Sequence, residues 1–207
     1  MKVGIVNYGM GNLASVYRAL ETIGYDPLIA NYPEELRAAS RIILPGVGAF
    51  AEGMDRLNSG GWTGEIRRLV SGEGRPLLGI CLGMQFLADS GSEGGERDGL
   101  GFIAGEIVHL ADQGCTDRVP HVGWNEMHIT RADPLFETIP EGTDYYFVHS
   151  YAFQVADPAH LLGTVPYGCD VAAVVRSGNV WGTQFHPEKS SKAGLQLLRN
   201  FVERSGC

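Results

Sequence analysis

The first eighty residues alternate short apolar runs with apolar positions at helical spacing. The runs at residues 3–6, 27–30, 41–44 and 76–80 predict strands that are buried on both faces. Leu13, Val16 and Leu20 recur at the spacing of a helix, with Asn12 as its N-cap. Apolar positions at 50, 54 and 57, and again at 62, 66, 69 and 70, predict two more helices. This alternation predicts a parallel sheet covered by helices.

Beyond about residue 99 the pattern changes to consecutive strand-like stretches. They occupy residues 102–110, 121–130, 145–151, 161–165, 172–176 and 180–185, with a hairpin turn at 177–179. Residues 192–204 predict a closing amphipathic helix. No linker or internal repeat interrupts the chain, so we expect one α/β domain that spans residues 1–207.

Composition narrows the possible partners and compartments. The net charge of −8, without any Lys/Arg-rich run, makes nucleic acid an unexpected partner. No apolar run resembles a signal peptide or a membrane span. Cys81, Cys115, Cys169 and Cys207 are scattered, without a spacing that suggests a metal site or a disulfide framework. We therefore expect a cytoplasmic protein without metal.

The segment Gly79-Ile-Cys-Leu-Gly-Met-Gln85 places a cysteine where an apolar strand passes into a helix. Such a turn lifts the thiol above the sheet edge, the glycines leave room around it, and the helix N-terminus favours the thiolate. A lone cysteine in an apolar run is more often a small buried hydrophobic residue. This segment alone therefore does not establish catalysis.

The segment Gln184-Phe-His-Pro-Glu-Lys-Ser190 strengthens the case, because a nucleophilic cysteine needs a base and the base needs an orienting group. If extended geometry continued through Pro187, His186 and Glu188 would point to the same side. Glu188 would then hold one ring nitrogen while the other faces the thiol. His149 is the main rival base, but no carboxylate stands close to it in sequence.

Two glycine-rich loops are further candidates for functional sites. The segment Gly9-Met-Gly-Asn-Leu-Ala14 fits a dinucleotide-binding fingerprint, but Asn31 stands where a ribose-binding acid is expected. We interpret it as a tight strand-to-helix connection that a partner can approach. Backbone NH groups of Pro45-Gly-Val-Gly48 are suited to stabilising an oxyanion, although an ordinary turn would look similar.

Taken together, Gly79, Cys81, Gly83 and Gln85 with His186-Pro-Glu188 resemble the class I, triad-type glutamine amidotransferases. Segments 7–12, 45–50, 120–125 and 186–191 are similar to the glutaminase subunits of imidazole glycerol phosphate synthase. The resemblance implies a three-layer sandwich with a central mixed, mostly parallel sheet flanked by helices. It also implies glutamine as substrate, no cofactor, and a (βα)8-barrel cyclase subunit as partner that receives the ammonia.

The resemblance further implies a role for each of several residues. The residues implied in catalysis are Cys81, His186 and Glu188, and those that donate to the oxyanion are Val47, Gly48 and Leu82. The residues implied in glutamine binding are Gly48, Gln85, Glu93, Ser150 and Tyr151. Those that contact the partner are Asn12, Arg18, Trp124, Tyr146 and Lys189. Three alternatives stay open: the amidotransferase subunit of an anthranilate or aminodeoxychorismate synthase, a free-standing glutamyl hydrolase, and a non-catalytic thiol-sensing homologue.

Overall fold

A computed structural model describes residues 2–205 of the chain. The helices are α1 Leu13–Thr22, α2 Phe50–Ser59, α3 Trp62–Arg67, α4 Leu82–Gln85 and α5 Ser191–Arg204. The strands are β1 Lys2–Val6, β2 Asp26–Ala30, β3 Arg41–Gly46, β4 Leu77–Cys81, β5 Ser90–Gly91, β6 Arg97–Asp98, β7 Gly105–His109, β8 His121–Ile129, β9 Thr143–His149, β10 Tyr151–Val155, β11 Leu161–Pro166, β12 Asp170–Ser177 and β13 Val180–Thr183. In this part of the chain no helix is long and apolar enough to cross a membrane.

The main sheet has the strand order β2-β1-β3-β4-β13-β12-β11-β8-β9. Pairing is parallel from β2 to β13 and antiparallel from β13 to β9, so the predicted mixed sheet is confirmed. Parallel and antiparallel pairings are equally frequent, because the stretches after residue 99 join the sheet as neighbouring antiparallel strands. The strands predicted in the first eighty residues lie within two residues of β1 to β4.

Alternating side chains of the sheet supply two separate cores. Ile43 of β3 packs in a cluster with Leu20 of α1 and Phe201 of α5. Its neighbour Leu44 packs in a second cluster with Met54 of α2. Because successive residues of a strand face opposite sides, this division places helices on both faces of the sheet. The predicted sandwich of helices around a sheet is confirmed.

The continuous strand predicted at residues 145–151 was wrong. The chain leaves the main sheet after His149 and enters a second, four-stranded sheet of order β10-β7-β5-β6 at Tyr151. Ser150 is the bend between the two. The strand expected at 102–110 also begins only at Gly105, since residues 102–104 form bends. The two-residue strands β5 and β6 are too short for a periodic pattern to reveal.

The cysteine spacing predicted no disulfide, and this prediction was also wrong. Cys115, in the loop after β7, is bonded to Cys169, in the turn between β11 and β12. Their Cα atoms lie 4.7 Å apart although 54 positions separate them in sequence. A bridge between two distant surface turns leaves no local spacing signal. Cys81 is the free cysteine among residues 2–205.

Candidate active site

Cys81 stands at a strained turn between β4 and α4. Its φ of 55° lies in the left-handed region, which non-glycine residues rarely adopt. A Cβ added to Gly83 would collide with the Leu44 carbonyl, and one added to Gly79 would collide with Gly83. Glycine is therefore needed at position 83 for the turn to pack against β3, and at position 79 for α4 to pack against β4. The predicted strand-to-helix placement of the thiol is present.

His186 and Glu188 form a buried pair in which His186 Nδ1 lies 2.8 Å from Glu188 Oε1. Their side chains are 2% and 1% exposed. The extended geometry expected through Pro187 is wrong, because Pro187–Lys189 forms a 3-10 turn in which Pro187 fixes the first residue. This turn, rather than strand alternation, folds the carboxylate back onto the ring.

The second ring nitrogen of His186, Nε2, is buried and has no hydrogen-bond partner within residues 2–205. Burial opposes a charge on this ring. The proximity of Cys81 and the hydrogen bond to Glu188 nevertheless raise the pKa of His186 to about 9. The ring therefore carries its proton near neutral pH, which is the form that stabilises a thiolate and can protonate a leaving group.

His149, the rival base, has both ring nitrogens engaged elsewhere. Its Nδ1 lies 2.9 Å from the Tyr151 carbonyl oxygen, and its Nε2 lies 3.1 Å from Nδ1 of His121. Burial lowers the pKa of His149 to about 3. A neutral ring without a free nitrogen is a poor proton acceptor for the thiol. The geometry therefore favours His186 over His149 as the base.

A cavity of about 490 Å³ opens onto Cys81. The residues predicted to donate to the oxyanion or to bind glutamine all line this cavity: Val47, Gly48, Leu82, Gln85, Glu93, Ser150 and Tyr151. His186 lines it as well. A cavity of this size accommodates a small amino acid with its surrounding water. No group of three or more metal-ligating side chains occurs within residues 2–205.

Comparison with known proteins places this chain in a family. The model of the glutamine amidotransferase class-I family matches residues 4–205. The chain belongs to the class I glutamine amidotransferase family. It is 46% identical over 201 residues to imidazole glycerol phosphate synthase subunit HisH of Moorella thermoacetica, covering 97% of this chain and 94% of that protein. It is 45% identical to the subunit of the same name from Bacillus velezensis, covering 97% and 95%.

Solved structures agree with this membership at the level of the fold. The amidotransferase chain superposes with a TM-score of 0.78 on a crystal structure of a glutamine amidotransferase that is 23% identical, covering 99% of each chain. A glutamine amidotransferase from Thermotoga maritima gives a TM-score of 0.69 at 18% identity, covering 99% of this chain and 97% of that one. The sandwich is thus preserved at low sequence identity.

Gln184 is a site residue that the sequence motif contained but to which no role was given. It is fully buried in the amidotransferase, and its Nε2 lies 3.8 Å from Cys81 Sγ. Its Oε1 accepts a hydrogen bond of 3.2 Å from Gln85 Nε2. The sequence did contain a signal for this residue, since Gln184 stands two positions before His186 at the same strand end. Its contact with the thiol, however, depends on β13 lying beside β4.

The residues predicted to face a partner lie at the surface of the amidotransferase. Trp124 is 56% exposed, its ring centroid lies 6.2 Å from that of Tyr146, and Lys189 Nζ lies 5.9 Å from the Tyr146 ring. Arg18 lines a surface cleft together with Lys189. Asn12 caps α1, as predicted, by accepting a hydrogen bond from the Ser15 NH. Partner contact stays a prediction for all of them.

Proposed function

We propose that this amidotransferase is the glutaminase subunit of an imidazole glycerol phosphate synthase, and that Cys81, His186 and Glu188 are its catalytic triad. The observation that carries the site assignment is the buried His186 ring, whose Nδ1 is held by Glu188 while its Nε2 has no partner among the described residues. This ring lines the same cavity as Cys81. The two curated relatives, at 46% and 45% identity over nearly their whole length, support the choice of synthase over the other amidotransferases.

In the proposed first step, Cys81 Sγ attacks the side-chain amide carbon of glutamine. Backbone NH groups of Leu82 and of the Val47–Gly48 segment stabilise the oxyanion. His186 gives its proton to the amide nitrogen as the carbon–nitrogen bond breaks, so that ammonia leaves and a glutamyl thioester remains. Glu188 stabilises the charged ring before the transfer and keeps its orientation afterwards.

In the proposed second step, His186 is neutral and accepts a proton from a water molecule. The resulting hydroxide attacks the thioester carbon, the carbon–sulfur bond breaks, and glutamate leaves. The thiolate and the protonated ring are thereby restored. The chain's own residues supply every group that these two steps require.

The proposed destination of the ammonia is a (βα)8-barrel cyclase subunit, bound in the cytoplasm. The relatives are named as synthase subunits, which supports a second subunit for this chain as well. Val122, Trp124 and Val148 present exposed apolar side chains on neighbouring strands β8 and β9, and Val148 also lines the pocket. An apolar surface that adjoins the pocket entrance is suited to closing it against solvent.

The test is to incubate the chain and its cyclase partner with a chloroketone analogue of glutamine and to locate the adduct by mass spectrometry. We expect modification at Cys81 that glutamine prevents. The same complex should release glutamate from glutamine. A folded complex that forms no adduct and releases no glutamate would favour a non-catalytic thiol sensor instead.

Replacing His186 with asparagine is expected to slow thioester formation by about 10²- to 10⁴-fold, because the proton donor is lost. His149→Asn should have a much smaller effect on this step, since His149 has no nitrogen free for the thiol. Glu188→Gln should fall between the wild type and His186→Asn. Single-turnover measurement of the glutamyl thioester checks the order. Control of thioester formation by His149 alone would refute the assignment.

Glutaminase activity is expected to decline as the pH rises through about 9, where His186 loses its proton. The sign follows from the raised pKa: the ring is charged below this value and cannot protonate the leaving nitrogen above it. Because Glu188 contributes to the shift, Glu188→Gln should move the decline to lower pH. The comparison of the two pH profiles separates this effect from titration of the substrate. An identical alkaline limb in both proteins would contradict it.

A further inference from the structure

His121 and His149 form a buried pair at the wall of the glutamine pocket, which His149 itself lines. They lie directly opposite each other on β8 and β9, and they are 2% and 6% exposed. Nδ1 of His121 lies 3.1 Å from Nε2 of His149. The proposed acyl transfer uses neither ring.

The hydrogen bonds of the pair all run in one direction. A carbonyl only accepts, so the His149 Nδ1 that lies 2.9 Å from the Tyr151 oxygen carries a proton. In a neutral ring the other nitrogen is then an acceptor, so Nδ1 of His121 donates to Nε2 of His149. Nε2 of His121 faces the Asn125 amide Nδ2 at 3.4 Å and accepts from it. The chain thus leads from Asn125 through both rings to the Tyr151 carbonyl.

The surroundings keep both rings neutral. Burial lowers the pKa of His121 to about 4, against the opposing charge of Asp117. Burial lowers the pKa of His149 to about 3, where the Tyr151 carbonyl opposes the shift and the charges of His121 and His186 add to it. A proton on either ring would put two N–H donors face to face, so this arrangement requires the neutral forms.

Stacking fixes the plane of the His121 ring. Its centroid lies 4.8 Å from that of Phe147 and 3.9 Å from that of Tyr167, at interplanar angles of 15° and 21°. The Asn125 Nδ2 also donates to the Pro166 carbonyl at 2.9 Å. Because stacking and both nitrogens hold the ring, it cannot turn without breaking contacts on β8, on β9 and with Tyr167, which follows β11.

The far end of the chain reaches the pocket wall. The Tyr151 carbonyl accepts from His149 on one side and from Gln85 Nε2, at 3.0 Å, on the other. Both Gln85 and Tyr151 line the cavity, as does Ser150, where the chain crosses between the two sheets. Holding this carbonyl therefore holds the crossing segment.

We propose that His121 and His149 are positioning residues that fix the Ser150–Tyr151 segment for glutamine binding. The inference rests on the proposed glutaminase function. Neither ring exchanges a proton with the substrate, and the pair sets the affinity for glutamine rather than the reactivity of Cys81.

The test is a set of kinetic measurements on the complex of this chain with its cyclase subunit. His121→Phe keeps a ring between Phe147 and Tyr167 but removes both nitrogens. We expect it to raise the KM for glutamine about 10-fold while kcat changes less than about 3-fold, because a buried acceptor on His149 loses its donor. His121→Asn restores an amide near the former Nδ1 and should recover most of the loss. His128→Asn, a matched control on the exposed side of β8, should leave the KM unchanged.

Three readouts separate positioning from other roles. The rate of Cys81 alkylation by iodoacetamide should be the same in wild type and His121→Phe. An equal loss of kcat and kcat/KM at unchanged KM would overturn the proposal. Nitrogen-15 spectra of the imidazole rings should show both histidines as the neutral Nδ1–H tautomer from about pH 5.5 to 8.5. A titration of either ring in this range, or an Nε2–H tautomer, would also overturn it.

The spectra make failure of this inference distinguishable from failure of the proposed function. They are recorded on the folded wild-type protein and need neither substrate nor a folded variant. The wild-type complex could release no glutamate while the spectra show the expected tautomers. In that case the glutaminase proposal fails and the role of the pair in glutamine binding fails with it. The series of hydrogen bonds from Asn125 to the Tyr151 carbonyl would still stand.

Discussion

Cys81→Ala is expected to abolish glutamine hydrolysis, by at least about 10⁴-fold, without loss of the fold. The thiolate is the proposed nucleophile, and among residues 2–205 there is no other free thiol to replace it. Alanine is smaller than cysteine, so nothing in the packed turn has to move. Cys81→Ser should be almost as inactive, because a serine hydroxyl is far less ionised than a thiol. Glutamate release and circular dichroism together check the result.

Supplying free ammonia provides the control for this prediction. A complex that contains Cys81→Ala should still form the cyclase product from ammonia, because only nitrogen delivery is lost. Substantial glutamine turnover by the folded variant would rule out Cys81 as the nucleophile. Failure with ammonia, in a complex that assembles normally, would show that the substitution also disturbs the partner.

The sequence could indicate which residues meet at the proposed active site, because each stands in a local motif with its own chemical logic. Cys81 ends β4 and His186 follows the neighbouring parallel strand β13, so both emerge at the same edge of the sheet. The carboxyl ends of adjacent parallel strands are where α/β proteins usually place their sites. The pairing of His186 with Glu188 was predicted correctly, but for a wrong reason. A proline-initiated turn brings them together, which the residue after His186 already indicated.

Three of the features that escaped prediction depend on which parts of the chain become neighbours. The break at Ser150 arises because β9 pairs with β8 while β10 pairs with β7, and apolar periodicity is the same on both sides of the break. Cys115 meets Cys169 only when two surface turns converge. The His121–His149 contact follows from the antiparallel register of β8 and β9. The apolar pattern of a single strand does not identify the strand with which it pairs.

We expect the glycine-rich loop formed by residues 45–48, at the end of β3, to change its conformation. Gly48 has a φ of 107°, which favours glycine, and a Cβ added there would lie 2.7 Å from Met10 Cε. A Cβ added at Gly46 would lie 2.6 Å from the Tyr8 hydroxyl. The segment that mimics a dinucleotide fingerprint thus packs against the oxyanion loop. A glycine-rich turn between such contacts can rotate a peptide plane at low steric cost.

We expect this loop to make glutaminase activity dependent on the partner. In the isolated chain the NH of Val47 or of Gly48 would point away from the pocket, and hydrolysis would be slow. Docking of the cyclase with its nucleotide ligand, near Asn12 and Lys189, would favour the arrangement in which that NH faces the oxyanion. One such donor is worth about 10²- to 10³-fold in rate. The isolated chain should therefore be slower than the liganded complex by about this factor. Equal rates would mean that no switch exists.

Val47→Pro identifies the donor, because proline removes the NH of residue 47 while the preceding glycine tolerates the extended conformation that proline imposes on it. The Val47 side chain is 41% exposed, so Val47→Ala removes most of that side chain and keeps the NH. We expect Val47→Ala to be activated by the liganded partner as the wild type is, and Val47→Pro to lose about 10²-fold of the activated rate. Both variants must bind the cyclase equally well for the comparison to hold. If Val47→Pro is fully activated, the NH of Val47 is not the donor.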